Sequence, residues 1–280
     1  MLAFILRGYR WSLTLNRLIK ININNIIEIY SLGAVIDFII PIRIAELVKG
    51  KLVKDKYNIS ISRSFITIII DRLFDLTPLL IIISFLPFSG IKINSLIYYF
   101  IFTISFILIF GVLFVTLLMV KIFNLVKLRK KYTHKRILNK IIVILLHFAI
   151  SAHRLKLSPT LIIKLFLISI LAVLSNVATF YFALKAFGST IPIGVIIFGY
   201  IMIFLSYAVP SPPAQIGSNE LFAVIIFSGI FGYNKEFISA VVLFFHSFGI
   251  LFMIILAIFL FNRNFSIIKE IFKKRIFSKN

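Results

Sequence analysis

The chain has no cysteine among its 280 residues. That excludes disulfides, thiolate nucleophiles and cysteine-ligated metals, and it carries no information on the redox state of a compartment. Acidic side chains are nearly as scarce, with nine Asp and Glu against 31 Lys and Arg. Charged residues of both signs make up only 14% of the sequence. There is no phosphate-binding glycine loop of the Walker type, no dinucleotide fingerprint and no HExxH helix, so those cofactor and metal chemistries lack a sequence basis. The four histidines are scattered. His147 and His153 are six apart and face different sides of a helix, so no metal site is expected.

What remains is apolar: 61% hydrophobic residues, 32 of the 280 being Phe, and a mean hydropathy of +1.08. A single domain of this length has too little interior to bury that much apolar surface, so lipid must serve as its solvent. A net charge of +22 fits either nucleic acid or an anionic membrane surface, and the hydropathy decides for the membrane.

Crossing roughly 30 Å of hydrocarbon takes about 20 residues of helix. Stretches 64–86, 96–120, 159–187 and 236–261 meet that length, while 24–40, 193–209 and 221–231 fall short beside prolines or charges. The runs are continuously apolar, without the alternation of a barrel strand. Stretch 141–157 reads as an interfacial or partly inserted helix on the cytoplasmic side. Residues 1–6 are too short for the apolar region of a leader, and Arg7 and Arg10 follow them, so either the helices target themselves or the chain starts partway through a helix.

Of the 31 cationic residues, 27 fall within 7–20, 43–63, 121–140, 154–164 and 263–279. The positive-inside bias places these five segments on the cytoplasmic side of a cell membrane, where they meet anionic headgroups rather than nucleic acid. Orientation then requires a broken hairpin at 24–56 that enters and returns, two crossings, a basic interfacial segment at 121–158, and a third crossing. A second broken hairpin at 193–232, a last crossing and a cytoplasmic tail at 262–280 complete the chain. The expected fold is an all-α polytopic transmembrane bundle, with 1–120 and 159–261 related as an inverted-topology repeat.

Six of the nine acidic residues, Glu28, Asp37, Glu46, Asp71, Asp75 and Glu220, lie in or beside apolar stretches. An ionisable group at membrane depth needs a partner or a water-lined cavity. Asp71, Arg72 and Asp75 sit in one apolar run; the two carboxylates share a helix face and Arg72 reaches Asp75. This is either a substrate path or an ion cluster holding helices together. Pro41, Arg43, Glu46 and Lys49 follow the first short stretch, with Arg43 spaced to pair with Glu46. They mark a helix break at depth or a plain loop boundary. In the run 210–220, three prolines abolish helix, Gly217 permits a turn, Ser218 or Asn219 can cap the next helix, and Glu220 falls in its first turn. Such a polar break between half-helices points to a transporter site, against the alternative of a surface loop.

With these elements in place the chain resembles the lysylphosphatidylglycerol synthase/flippase transmembrane family. Pro41, Arg43, Glu46 and Lys49 match its P-x-R-x-G-E-x-x-R/K element, with Ala45 for Gly. Asp71, Arg72 and Asp75 match its E-R-x-x-D helix, with Asp for Glu. Pro213, Gly217 and Glu220 match its P-G-G-x-G-x-x-E element, with Ala214 and Gln215 for the paired glycines, and His246 stands where a late Arg is often found. The resemblance implies one or two helices upstream of the first element and movement of a polar-headed lipid between leaflets; it does not imply the aminoacyl-transfer activity of relatives that carry an added soluble domain.

The expected substrate-binding residues are therefore Arg43, Glu46, Asp71, Arg72, Asp75, Pro213, Gly217 and Glu220, with a lipid as partner and no cofactor. Arg43 is the expected extra cation for the Asp71–Asp75 cluster. A transferase acting on lipid-linked substrates and a non-catalytic membrane scaffold stand as alternatives. The sequence leaves oligomeric state open.

Overall fold

The computed structural model describes residues 1–40, 45–88, 157–206 and 212–273, with isolated positions between 91 and 155. All regular structure among the described residues is helical. Nearly all of stretches 96–120 and 141–157, the basic segment 121–140, the residues Pro41 and Arg43, and the end of the tail lie outside them.

The first half builds four helices: α1 (Leu2–Leu15), α2 (Ile23–Ile39), α3 (Ala45–Tyr57) and α4 (Ile61–Ser84). Local side chains set their ends. Asn16 Oδ1 accepts from the Ile21 amide at 2.8 Å, closing the turn out of α1, and Asn22 Oδ1 accepts from Asn24 N at 3.0 Å to cap α2. Asn58, with φ 53°, supplies the left-handed residue that ends α3. Pro78 lies inside α4 and removes one rung of its ladder, leaving the Phe74 carbonyl, next to Asp75, without its usual donor.

The second half builds α5 (Pro159–Ala186), α6 (Ile193–Ser206), α7 (Ser218–Val224) with a π-turn at Ile225–Ile230, and α8 (Lys235–Lys273). Ser158 caps α5 through the Leu161 amide with Pro159 at the first helical position, and Asn234 Oδ1 caps α8 through Phe237 N at 2.7 Å. By length and composition, Pro159–Ala186 and Lys235–Phe261 can each span a bilayer. α4 has 24 residues, about 36 Å of helix, but carries three charges in its middle. α6 has 14 residues, about 21 Å, and falls short of a crossing.

Two apolar cores hold the halves. One joins Trp11, Leu15, Ile29, Leu32, Leu52 and Val53 from α1–α3 with Ile68 of α4 and Leu260 of α8. The other joins Leu79 and Ile83 of α4 with residues of α5, α6, α7, the π-turn and α8. Helices α4 and α8 thus serve both cores, one at each end. Phe180 is the centre of the second, with the rings of Tyr200, Phe227 and Phe245 at 5.4, 5.7 and 5.3 Å. Gly199 lets α6 approach there: a Cβ on it would run into the Phe227 ring. On the outside, Leu167, Leu171, Phe248, Leu251, Ile255 and Ile258 are more than half exposed, an apolar surface that suits lipid and not water.

Candidate functional site

The largest concentration of charge among the described residues lies where α1, α3 and α4 meet. Arg7 and Arg10 are three apart on α1 and point the same way, toward Asp71 and Asp75 on one face of α4. Arg10 has a side-chain exposure of 1%. Its Nε donates to Asp71 Oδ1 at 2.8 Å, and its Nη2 to Asp75 Oδ1 at 2.8 Å and to the Asp71 carbonyl at 3.0 Å. Its Nη1 donates to Ser169 Oγ of α5 at 2.7 Å. One buried guanidinium therefore ties three helices together.

Asp75 sits among three arginines. Besides Arg10, Arg7 Nε lies 3.3 Å from Oδ1 and Arg72 Nη1 donates to Oδ2 at 3.4 Å. Arg72 turns outward to α3, where its Nε donates to Glu46 Oε1 at 2.7 Å and its Nη2 pairs with the same oxygen. The side-chain exposure rises from 1% at Arg10 through 16% at Arg7 to 46% at Arg72. The cluster thus runs from the interior to an open end.

Lys49 is buried one turn along α3 from Glu46, with Nζ over the rings of Tyr30 at 4.9 Å and Trp11 at 5.7 Å. Gly33 of α2 makes room for its stem, since a Cβ there would meet Lys49 Cγ at 2.7 Å. Trp11 is fixed in turn by Nε1 donating to Thr67 Oγ1 at 3.1 Å. Arg7 lies over the Phe204 ring of α6 at 4.9 Å, which brings the second half to the edge of the cluster. Four cationic side chains, Arg7, Arg10, Lys49 and Arg72, lie with three carboxylates, Glu46, Asp71 and Asp75, so these seven residues carry a formal excess of one positive charge.

The second polar feature is the break between α6 and α7. Ala214 and Gln215 hold φ of 54° and 59°, and Gly217 holds 81°. Two consecutive left-handed non-glycine residues cost roughly 1–3 kcal/mol each and need outside support. His246 of α8 supplies it: Nε2 lies 2.9 Å from the Ala214 carbonyl and Nδ1 lies 2.5 Å from Glu220 Oε1. Both ring nitrogens thus face oxygen atoms of the break. The other Glu220 oxygen accepts from Gly217 N at 2.9 Å. α7 begins at Ser218, so Gly217 is the cap residue, in place of the expected Ser218 or Asn219. The segment Pro213–Gln215 packs against α2, the helix that also packs against α1 and α3.

Of the residues expected from the sequence, Glu46, Asp71, Arg72 and Asp75 come together in one cluster, and Pro213, Gly217 and Glu220 share the break. Arg43 lies outside the described residues, so its pairing with Glu46 is not seen; Glu46 holds Arg72. The extra cation needed by the carboxylates is Arg10, joined by Arg7. Both arginines were expected in a wet basic segment, and Arg10 is instead among the most buried side chains. Sequence counting overlooked that Arg7 and Arg10 share a face of an apolar stretch, which was the available signal.

Helices of this composition, with charge gathered inside and apolar side chains outside, define an integral membrane protein. The chain belongs to the lysylphosphatidylglycerol synthase TM region family, which it matches over residues 1–257. No curated protein matches it, and no solved structure does.

Proposed function

We propose that the chain is a multi-pass lipid flippase that moves a polar-headed phospho- or glycolipid between leaflets of the cell membrane. The observation that carries this reading is the graded cluster at α1, α3 and α4, fixed by buried Arg10 and open at Arg72. A buried ion pair is weak evidence for stability, so charges kept inside an apolar bundle argue for use.

In this reading the headgroup travels along the polar groove while the acyl chains stay in lipid. Arg72 and Arg43 attract its phosphate. Glu46, Asp71, Asp75 and Glu220 hold the arginines or engage a cationic headgroup, and the break at Pro213 and Gly217 forms the other wall. The two halves, 1–120 and 159–261, act as inverted repeats, each with a short broken hairpin; the brevity of α6 and the interrupted course after it support this. The basic segments 121–158 and 262–280 rest on anionic headgroups at the cytoplasmic face.

The test is reconstitution into liposomes with headgroup-labelled phospholipid and glycolipid, read by bleaching the outer leaflet. A flippase lets the bleachable fraction exceed half while the lipid stays chemically unchanged. A new lipid species on thin-layer analysis identifies a transferase instead.

A further inference from the structure

We infer that Arg7 and Arg72 form a clamp for the phosphate ester of an anionic substrate, and that Asp75 is the resident anion that a bound phosphate displaces. The inference rests on the lipid-handling reading above. Asp75 is held closely by Arg10, whose Nη2 donates to Oδ1 at 2.8 Å; its contacts with Arg7 at Oδ1 and with Arg72 at Oδ2 are long, at 3.3 and 3.4 Å. The two long contacts are to the partly exposed arginines, and the short one is to the buried arginine.

Arg7 is prepared for such a ligand. Its guanidinium carbon lies 4.9 Å from the centre of the Phe204 ring, a cation–π contact that uses none of its N–H donors. Nε is buried without a hydrogen-bond acceptor, and among the described residues none accepts a hydrogen bond from Arg7. A planar fork of donors held this way matches the oxygens of a phosphate better than a single carboxylate oxygen at 3.3 Å does. The single excess positive charge of the cluster, with buried Lys49 behind it, favours one added negative charge over a neutral or zwitterionic group. Swapping Asp75 for phosphate at Arg7 and Arg72 keeps Arg10 paired throughout, so the helices stay joined while the ligand comes and goes.

Equilibrium binding to the purified full chain in an uncharged detergent tests this. The probes are short-chain phosphatidylglycerol, inorganic phosphate and an uncharged glucosyl diacylglycerol. Phosphatidylglycerol is expected to bind at least tenfold more tightly than the glucolipid. Arg7→Gln and Arg72→Gln are each expected to remove at least tenfold of that, and Arg7→Lys an intermediate amount because the fork is lost and the charge kept. Asp75→Asn is expected to bind phosphatidylglycerol more tightly than the native chain, because the competing anion is gone. Inorganic phosphate matching the lipid would support the clamp and identify free phosphate as its ligand; weaker binding supports the lipid headgroup. Unchanged affinity in both Arg7→Gln and Arg72→Gln, equal affinity for the glucolipid, or a loss in Asp75→Asn as large as in Arg7→Gln would each overturn the clamp. If Arg7→Gln does not fold, Arg7→Lys and Arg72→Gln decide. Binding needs no leaflet crossing, so a clamp without transport would sink the flippase reading alone, and transport of phospholipid by Arg7→Gln at the native rate would sink the clamp alone.

Discussion

Arg10 and Arg72 carry the same charge in the same cluster, yet their surroundings predict opposite phenotypes. Arg10→Leu would leave Asp71 and Asp75 facing each other inside the bundle with their main partner gone. Stranding buried charge in this way costs about 3–5 kcal/mol, so that variant should be recovered poorly and lose its thermal transition in detergent. Arg72 is nearly half exposed, and its pairs are of the kind worth less than about 1 kcal/mol. Arg72→Gln should therefore fold like the native chain in the same thermal scan. Asp71 belongs with Arg10, so Asp71→Asn should lower stability more than Arg72→Gln does. From sequence the carboxylates and Arg72 were legible because charge inside an apolar run is conspicuous. Arg7 and Arg10 were not, because they stand near the chain start among other cations, and counting residues by segment hides which helix face they occupy.

At the scale of elements, close packing makes two further expectations. Gly199 faces Phe227, whose ring is fully buried and cannot retreat into lipid. Gly199→Ala should cost about 1–3 kcal/mol by overpacking, visible as a lower melting temperature, whereas Gly229→Ala, with open space around it, should not lower it as much. His246 binds the strained carbonyl of Ala214 and the carboxylate of Glu220 together. His246→Leu should free the break, raising proteolysis near Gln215 and costing roughly 1–2 kcal/mol. His246→Arg, which restores two donors, should lose less. The break itself was legible from its prolines and Gly217. The clasp was not, since it joins residues 32 apart in sequence and depends on how α8 lies against α7. The long apolar runs gave α5 and α8 directly, because an uninterrupted run of that length has few other folds.

For the whole molecule, the uneven distribution of cations predicts a single orientation. The absence of native cysteine makes single substituted cysteines clean reporters of it. Cysteines replacing Lys130 and Lys273 should both be labelled only from the cytoplasmic side; labelling from opposite sides would end the inverted-repeat proposal. Membrane residence was legible from hydropathy alone, while orientation is a property of the loops and the bilayer together. The central claim is that the polar cluster handles a lipid headgroup in transit. Its most direct measurement compares native and Arg72→Gln chains in the same liposomes, with labelled phosphatidylglycerol and bleaching of the outer leaflet. The account predicts bleaching beyond half of the label with the native chain and only the outer half with Arg72→Gln, at equal reconstitution and equal melting temperature. Equal bleaching by both chains would contradict it.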